Sequence, residues 1–178
     1  MERGLTRMVV VIMGVSGSGK TTVGVRLAEM LGASFAEGDE FHPAANIEKM
    51  RAGIPLDDAD RAPWLEILSR QIGAWLDAGE RVVLACSALK QSYRTILRGG
   101  RSGVHFVHLR GEEGLIRGRL ELRRGHYMPP TLLTSQIQTL EEPDDAIVVD
   151  ITGEPEAIAG TVAAALRGRI RLPPSQPA

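Results

Sequence analysis

The chain predicts an α/β fold, a five-stranded parallel sheet with helices on both faces and a helical lid, from three observations. Five short apolar runs, several rich in β-branched residues, alternate with stretches of helical period, and consecutive parallel strands require such crossovers. The runs are apolar almost throughout instead of alternating, as in strands buried on both faces. Between the first run and the first helix stands Gly14-Val15-Ser16-Gly17-Ser18-Gly19-Lys20-Thr21, a glycine-rich turn of the form G-x-x-x-x-G-K-[ST].

The elements follow in order. Residues 8–13 (MVVVIM) form the first strand, and residues 22–31 a helix with Val23, Val25, Leu27, Met30 and Leu31 on its apolar face. Residues 33–37 give a second strand, ending at Gly38-Asp39. His42-Pro43 opens a short helix to about Ala52, with Pro43 near its first turn, and Gly53-Ile54-Pro55 breaks it. A longer helix starts at Asp60 and runs to Ala78, with Trp64, Ile67, Leu68, Ile72, Trp75 and Leu76 inward and Gly79 at its C-terminal cap. Residues 81–86 make the third strand, 87–97 a mostly helical stretch capped by Ser87, and 104–109 the fourth strand. Helices over 112–123 and 131–140 flank a break at 125–130. Residues 146–151 make the fifth strand, and Pro155 opens the last helix, to Arg167. One domain is expected over 8–168, with its lid at about 119–140. Residues 1–7 form a flexible extension, and 169–178, with Pro173, Pro174 and Pro177, a disordered tail.

Composition narrows the function. The 178 residues suffice for one core; 43% are hydrophobic and 24% charged, as in an ordinary soluble domain. A net charge of −1 and only 4% aromatics give neither the electrostatic pull nor the stacking platform that nucleic acid needs. No apolar run approaches the ~20 residues of a membrane span, and two arginines before a short run do not make a signal peptide. The lone cysteine, Cys86, allows no internal disulfide and points to a reducing, cytoplasmic compartment, with Cys86 itself a buried small hydrophobe. Three lysines stand against eighteen arginines, and all three, Lys20, Lys49 and Lys90, fall in stretches that carry candidate chemistry.

The glycine-rich turn is a phosphate cradle. Backbone N–H groups reach a polyphosphate only where no side chain intervenes, which suits Gly14, Gly17 and Gly19, and the helix that follows adds its own unpaired N–H groups. Lys20 reaches the β and γ phosphates, and the Thr21 hydroxyl ligates Mg²⁺. In open parallel sheets ligands bind beyond the carboxyl ends of the strands, so the residues after each strand matter most. After the second strand, Asp39 is placed to orient an acceptor hydroxyl, take its proton and hold a Mg²⁺-bound water. Lys90 and Arg94, one helical turn apart, are spaced to clamp an anion. Arg117, Arg119, Arg123, Arg124 and His126 surround Gly125, as a lid that excludes water and neutralises the moving phosphoryl group requires.

An ordered set of motifs then becomes specific. The loop Gly14 to Thr22 is followed by Glu37-Gly38-Asp39-x-x-His42-Pro43 and Asn46-Ile47-x-Lys49-Met50. Next come Gly53-x-Pro55-Leu56-x-Asp58-x-Asp60-Arg61-x-Pro63-Trp64-Leu65 and Ala85-Cys86-Ser87-Ala88-Leu89-Lys90-x-x-Tyr93-Arg94. Gly125-His126-Tyr127-Met128-Pro129 with Leu132-Leu133-x-Ser135-Gln136 completes the set. Together these resemble the gluconokinases of the shikimate-kinase-like, thermoresistant type, from about Val9 to Leu166. The resemblance implies a P-loop kinase that transfers the γ-phosphate of ATP, with Mg²⁺, to the 6-hydroxyl of D-gluconate. It implies that Gly14, Val15, Ser16, Gly17, Ser18, Gly19, Lys20, Thr21 and Thr22 hold the phosphates and metal, and that Asp39 activates the acceptor. His42, Lys49, Arg61, Lys90 and Arg94 become candidates for gluconate's carboxylate and hydroxyls, and Lys90→Ala is expected to raise the gluconate KM strongly. Arg119, Arg123 and His126 belong to the lid, with the adenine near Thr152 to Pro155 and Arg119. Thr95 stands where many members carry an acid.

Two other functions share parts of this pattern. A kinase for shikimate, adenylylsulfate or a nucleotide shares the cradle, and an acceptor screen separates them. A GTP-dependent switch draws on Asp150-Ile151-Thr152-Gly153, a D-x-x-G after a strand, but lacks the N-K-x-D guanine reader, since the one asparagine is Asn46. The partners expected are D-gluconate, no nucleic acid and no membrane, and a homodimer is left open.

Overall fold

The computed structural model describes residues 7–123 and 129–170. Its sheet has five parallel strands in the order β2-β3-β1-β4-β5. The central strand β1 (Met8–Met13) has all six residues wholly buried, odd and even positions alike, so both faces of the sheet are covered there. Its neighbours are β3 (Arg81–Ala85) and β4 (Val104–Arg110); β2 (Ser34–Glu37) and β5 (Ile147–Asp150) form the edges. In β5 the residues alternate between buried and exposed, which fits an edge position. Helix α1 (Lys20–Leu31) packs against α7 (Pro155–Arg169), and α3 (Asp58–Asp77) packs against α4 (Gln91–Arg98). Because β2, β3 and β1 lie side by side, the residues after them meet at one end of the sheet.

Several expected boundaries move, each for a local reason. Helix α3 starts two residues before Asp60, because Asp57 and Asp60 exchange side-chain and backbone hydrogen bonds in a capping box at 2.8 and 3.1 Å. Pro63 then lies inside the helix, where it gives up one backbone bond. Its buried face is Trp64, Leu65, Leu68, Ile72 and Leu76, while Trp75 and Ile67 are only half-buried. On α1 Val25 faces solvent. Ser87 does not cap a helix: residues 87–90 stay non-helical, Ala88 takes φ +45°, and α4 begins only at Gln91. The short helix α2 (Ala44–Arg51) follows Pro43. Helices α5 (Glu113–Leu122) and α6 (Pro130–Thr139) bound the expected lid; residues 124–128, with Arg124 and His126, lie outside the described residues, as do 1–6 and 171–178. Among the described residues no helix is long and apolar enough to cross a membrane.

Candidate active site

The phosphate loop joins β1 to α1 with Gly14, Gly17 and Gly19 at φ +144°, +81° and +92°, backbone that L side chains rarely adopt. At Gly14 a Cβ would also lie 2.8 Å from Ser18 Oγ and 3.0 Å from the Leu109 carbonyl, so no other residue fits. The Gly14 N–H donates to the Ser87 carbonyl at 3.2 Å, which ties the loop to the end of β3. Lys20 Nζ folds back onto the Val15 carbonyl at 3.0 Å. Burial lowers the Lys20 pKa, opposed by the carboxylates of Asp39 and then Glu37, so both acids act on the same ammonium.

Asp39 is fixed by its neighbours. Gly38 lies so close to β3 that a Cβ would meet the Ala85 carbonyl at 2.5 Å, and the Gly38 carbonyl accepts from Trp64 Nε1 at 2.8 Å. The strand end is therefore held from two sides, and the Asp39 side chain, 72% exposed, projects into the cavity that Ser16 and Lys20 also line. His42, three residues on, stacks on Trp64 with ring centroids 4.1 Å apart and 16° between planes. Asn46 Nδ2 donates to the Asp60 carbonyl at 2.8 Å and meets His42 Nδ1 at 3.3 Å. Nδ1 is then the acceptor, and the proton is assigned to Nε2, which lies 3.8 Å from Asp39 Oδ1. Burial, and behind it Arg61, lower the His42 pKa despite the opposing pull of Asp39, so the ring is neutral at neutral pH.

Arg61 is buried and lines the same cavity. Its one side-chain hydrogen bond among the described residues goes from Nη1 to Tyr93 Oη at 3.1 Å, and its guanidinium lies over the Tyr93 ring, 5.6 Å from the centroid. Tyr93 Oη donates in turn to Asp58, which Lys90 Nζ holds at 2.9 Å. The cavity, of about 160 Å³, thus presents two cations, Lys20 and Arg61, one exposed carboxylate, Asp39, and a neutral imidazole. Trp64, Leu56, Leu89 and Leu132 give it apolar walls. Cations facing one pocket suit an anionic acceptor.

The other expected cations lie elsewhere. Lys49 pairs with Asp60 at 2.8 Å and Lys90 with Asp58 at 2.9 Å, and neither lines the cavity. Arg94 does not clamp an anion with Lys90. It is 1% exposed, and its guanidinium donates to the carbonyls of Ala88, Leu89 and Glu141 at 2.8, 3.1 and 3.0 Å and to Gln91 Oε1 at 3.1 Å. It braces the bend at Ala88 instead. Arg123, at the end of α5, is near enough to Lys20 to push its pKa down, and Arg119 Nη2 donates to the Ile151 carbonyl at 2.6 Å, beside Thr152 to Pro155. The Asp150 carboxylate is occupied within its own turn, accepting from Thr152 N at 2.8 Å and from the Thr152 hydroxyl, so the D-x-x-G is a local turn. Cys86 is buried, and lost solvation pushes its thiol up to about 12, which suits packing and not nucleophilic attack.

The sequence reading missed Glu37, whose Oε2 accepts from the Thr21 hydroxyl at 2.6 Å. Burial raises the Glu37 pKa, against the Thr21 hydrogen bond, with Asp39 adding to the rise. A hydroxyl and two crowded carboxylates are hard oxygen donors of the kind Mg²⁺ takes beside phosphates, so this chemistry fits the metal. Among the described residues no cluster of three or more His, Cys, Asp or Glu could hold a metal ion. Also missed were Ser87, Ser135 and Gln136 in the cavity wall. The spacing of Leu132, Ser135 and Gln136, i, i+3 and i+4, was the available signal for one helix face.

A glycine-rich loop at a helix start, opposite a strand-end carboxylate in a parallel α/β sheet, defines a P-loop small-molecule kinase. The family described as an AAA domain matches residues 9–143. The gluconokinase of Gluconobacter oxydans is 51% identical over 154 residues, 86% of each chain. A crystal structure of a sugar kinase from Janibacter sp. HTCC2649 superposes with TM-score 0.84 at 48% identity, covering 89% of this chain and 94% of that one. The gluconokinase of Sinorhizobium meliloti 1021 gives 0.80 at 40% identity, covering 93% and 98%. This chain belongs to the gluconokinase family and is a phosphotransferase.

Proposed function

We propose that the chain transfers the γ-phosphoryl group of ATP to the 6-hydroxyl of D-gluconate in the cytoplasm. The observation that carries this reading is the convergence of Lys20, Asp39, His42 and Arg61 on one cavity beside the phosphate loop. The triphosphate lies along the amides of Gly17 to Thr22, with Lys20 swinging from the Val15 carbonyl to the β and γ phosphates. Asp39 orients the acceptor hydroxyl for in-line attack and takes its proton, and the His42 Nε2–H donates to a neighbouring oxygen. Arg61, oriented by Tyr93, pairs with the acceptor's carboxylate. Arg119 and Pro155 border the adenine, and Arg123, near Lys20, neutralises charge on the transferring phosphoryl group. Thr21 directly, and Glu37 and Asp39 through water, would hold Mg²⁺, which supplies neutralisation of phosphate charge.

A coupled assay with ATP, Mg²⁺ and a panel of sugar acids, sugars, shikimate and adenylylsulfate tests the reading. Turnover is expected with D-gluconate well above every other acceptor. Preference for shikimate or adenylylsulfate, or no turnover of gluconate, would overturn it.

A further inference from the structure

Helix α6 turns Leu132, Ser135 and Gln136 towards the cavity. Gln136 does more than line it: its side chain meets the backbone N–H of Ser16 in the phosphate loop at 2.7 Å, across 120 residues of sequence. A backbone N–H only donates, so the atom it touches is the carbonyl oxygen Oε1. The amide nitrogen Nε2 therefore sits on the other arm of the carboxamide, with two hydrogens to donate and no partner among the described residues.

The helix that presents this side chain is anchored at its C-terminal end. Leu140 N donates to the Gln136 carbonyl at 2.9 Å, and Glu141 N donates to the carbonyl of Leu89, a cavity-wall residue, at 2.8 Å. Gln91 N donates to Glu141 Oε2 at 2.7 Å, and Arg94 holds the Glu141 carbonyl. Gln136 is thus backed by the same brace that shapes the Ala88 bend.

We infer that Gln136 is an acceptor-binding residue: with Oε1 held by the Ser16 N–H, its NH2 group donates to a hydroxyl of the polyol chain next to the phosphorylated end. The chemistry suits that partner. A hydroxyl oxygen entering a partly apolar pocket needs a neutral donor, since an unpaired polar group there costs more than the bond returns in water. Arg61 serves the acceptor's carboxylate and Lys20 the nucleotide's phosphates, and Gln136 serves the uncharged polyol between them. A site built to bond a hydroxyl also rejects acceptors that lack it.

The inference rests on the gluconate kinase reading, and one experiment separates the two. Steady-state constants for gluconate and ATP, with melting temperatures, are measured for the wild type, Gln136→Leu and Gln136→Glu. Wild-type turnover of gluconate tests the reading itself; should the panel select another polyol acceptor, the variants are compared with the wild type on that one. Gln136→Leu is expected to raise the acceptor KM about 10-fold or more, with the ATP KM within about threefold and an unchanged melting temperature. Gln136→Glu keeps an oxygen for Ser16, loses both donors and adds a charge repelling an anionic acceptor, so it is expected to be the worse of the two. A Gln136→Glu enzyme with wild-type acceptor KM would reduce Gln136 to a pin for the loop and overturn the inference. An equal rise in both KM values for Gln136→Leu, or a lowered ATP KM with gluconate unaffected, would also overturn it.

Discussion

Two groups of cations sit within a few helical turns of each other and are used in opposite ways. Lys20 and Arg61 face the cavity, and among the described residues neither is matched by a carboxylate in a close pair. Lys49, Lys90 and Arg94 are already engaged, the lysines by the Asp60 and Asp58 carboxylates and the arginine by carbonyl and amide oxygens. The sequence puts all five beside the same motifs. The difference teaches that a cation's availability depends on which acid lies across from it. The helix cap residues Asp57 to Asp60 settle that here: the capping box that starts α3 also presents Asp58 and Asp60 to the two lysines.

Substitutions can break or sharpen that contrast. The largest effect is expected at the acid opposite the cavity cations: Asp39→Asn should lower kcat by about 100-fold or more with the fold intact, read in steady-state assays. A loss under about tenfold would remove Asp39 as the base or orienting group. Next, Arg61→Met should raise the gluconate KM by about 30-fold or more while ATP affinity holds, since breaking a desolvated cation–carboxylate contact costs ~2–5 kcal/mol. Equal effects on both substrates would mean that Arg61 supports the fold and not the acceptor. The paired lysines should matter far less. Lys90→Met and Lys49→Met are each expected to change the gluconate KM by less than about threefold, because each ammonium is turned to a carboxylate outside the cavity wall. This reverses the strong effect that the motif alone suggests for Lys90, and a tenfold rise would restore it to the site.

The smallest effect is a pH trend in stability. His42, His105 and His108 all have pKa values lowered, first of all by burial. The unfolded chain, with imidazoles near the ordinary ~6.5, therefore binds more protons as pH falls below that value. Their contribution is complete above about pH 6.5 and is lost as pH falls through the depressed folded values. Melting temperatures recorded from pH 7.5 to 5 should decline; a flat or rising profile would show that these rings are not buried in the neutral form.

The fold was legible because its signals are local. Apolar runs and glycines at required positive φ give β1, the loop and α1 directly, whereas the strand order β2-β3-β1-β4-β5 rests on pairings distant in sequence and was not legible. Asp39 was legible because it follows a strand beside the loop. What escaped depends on contacts distant in sequence. Nothing local marks Arg94 as a brace for Ala88 and Glu141, or Asp58 as the partner that takes up Lys90. Glu37 was hidden because its role appears only when β2 lies against the start of α1. Ser87 looked like a cap because serine caps helices, but the Ala88 bend delays α4 to Gln91.

The most direct measurement is a crystal structure with D-gluconate and a non-hydrolysable ATP analogue. The 6-hydroxyl should lie within hydrogen-bond reach of Asp39 and in line with the γ-phosphate, with the carboxylate on Arg61. Gluconate held instead by Lys49 and Lys90, or with its 6-hydroxyl turned away from Asp39, would contradict the account.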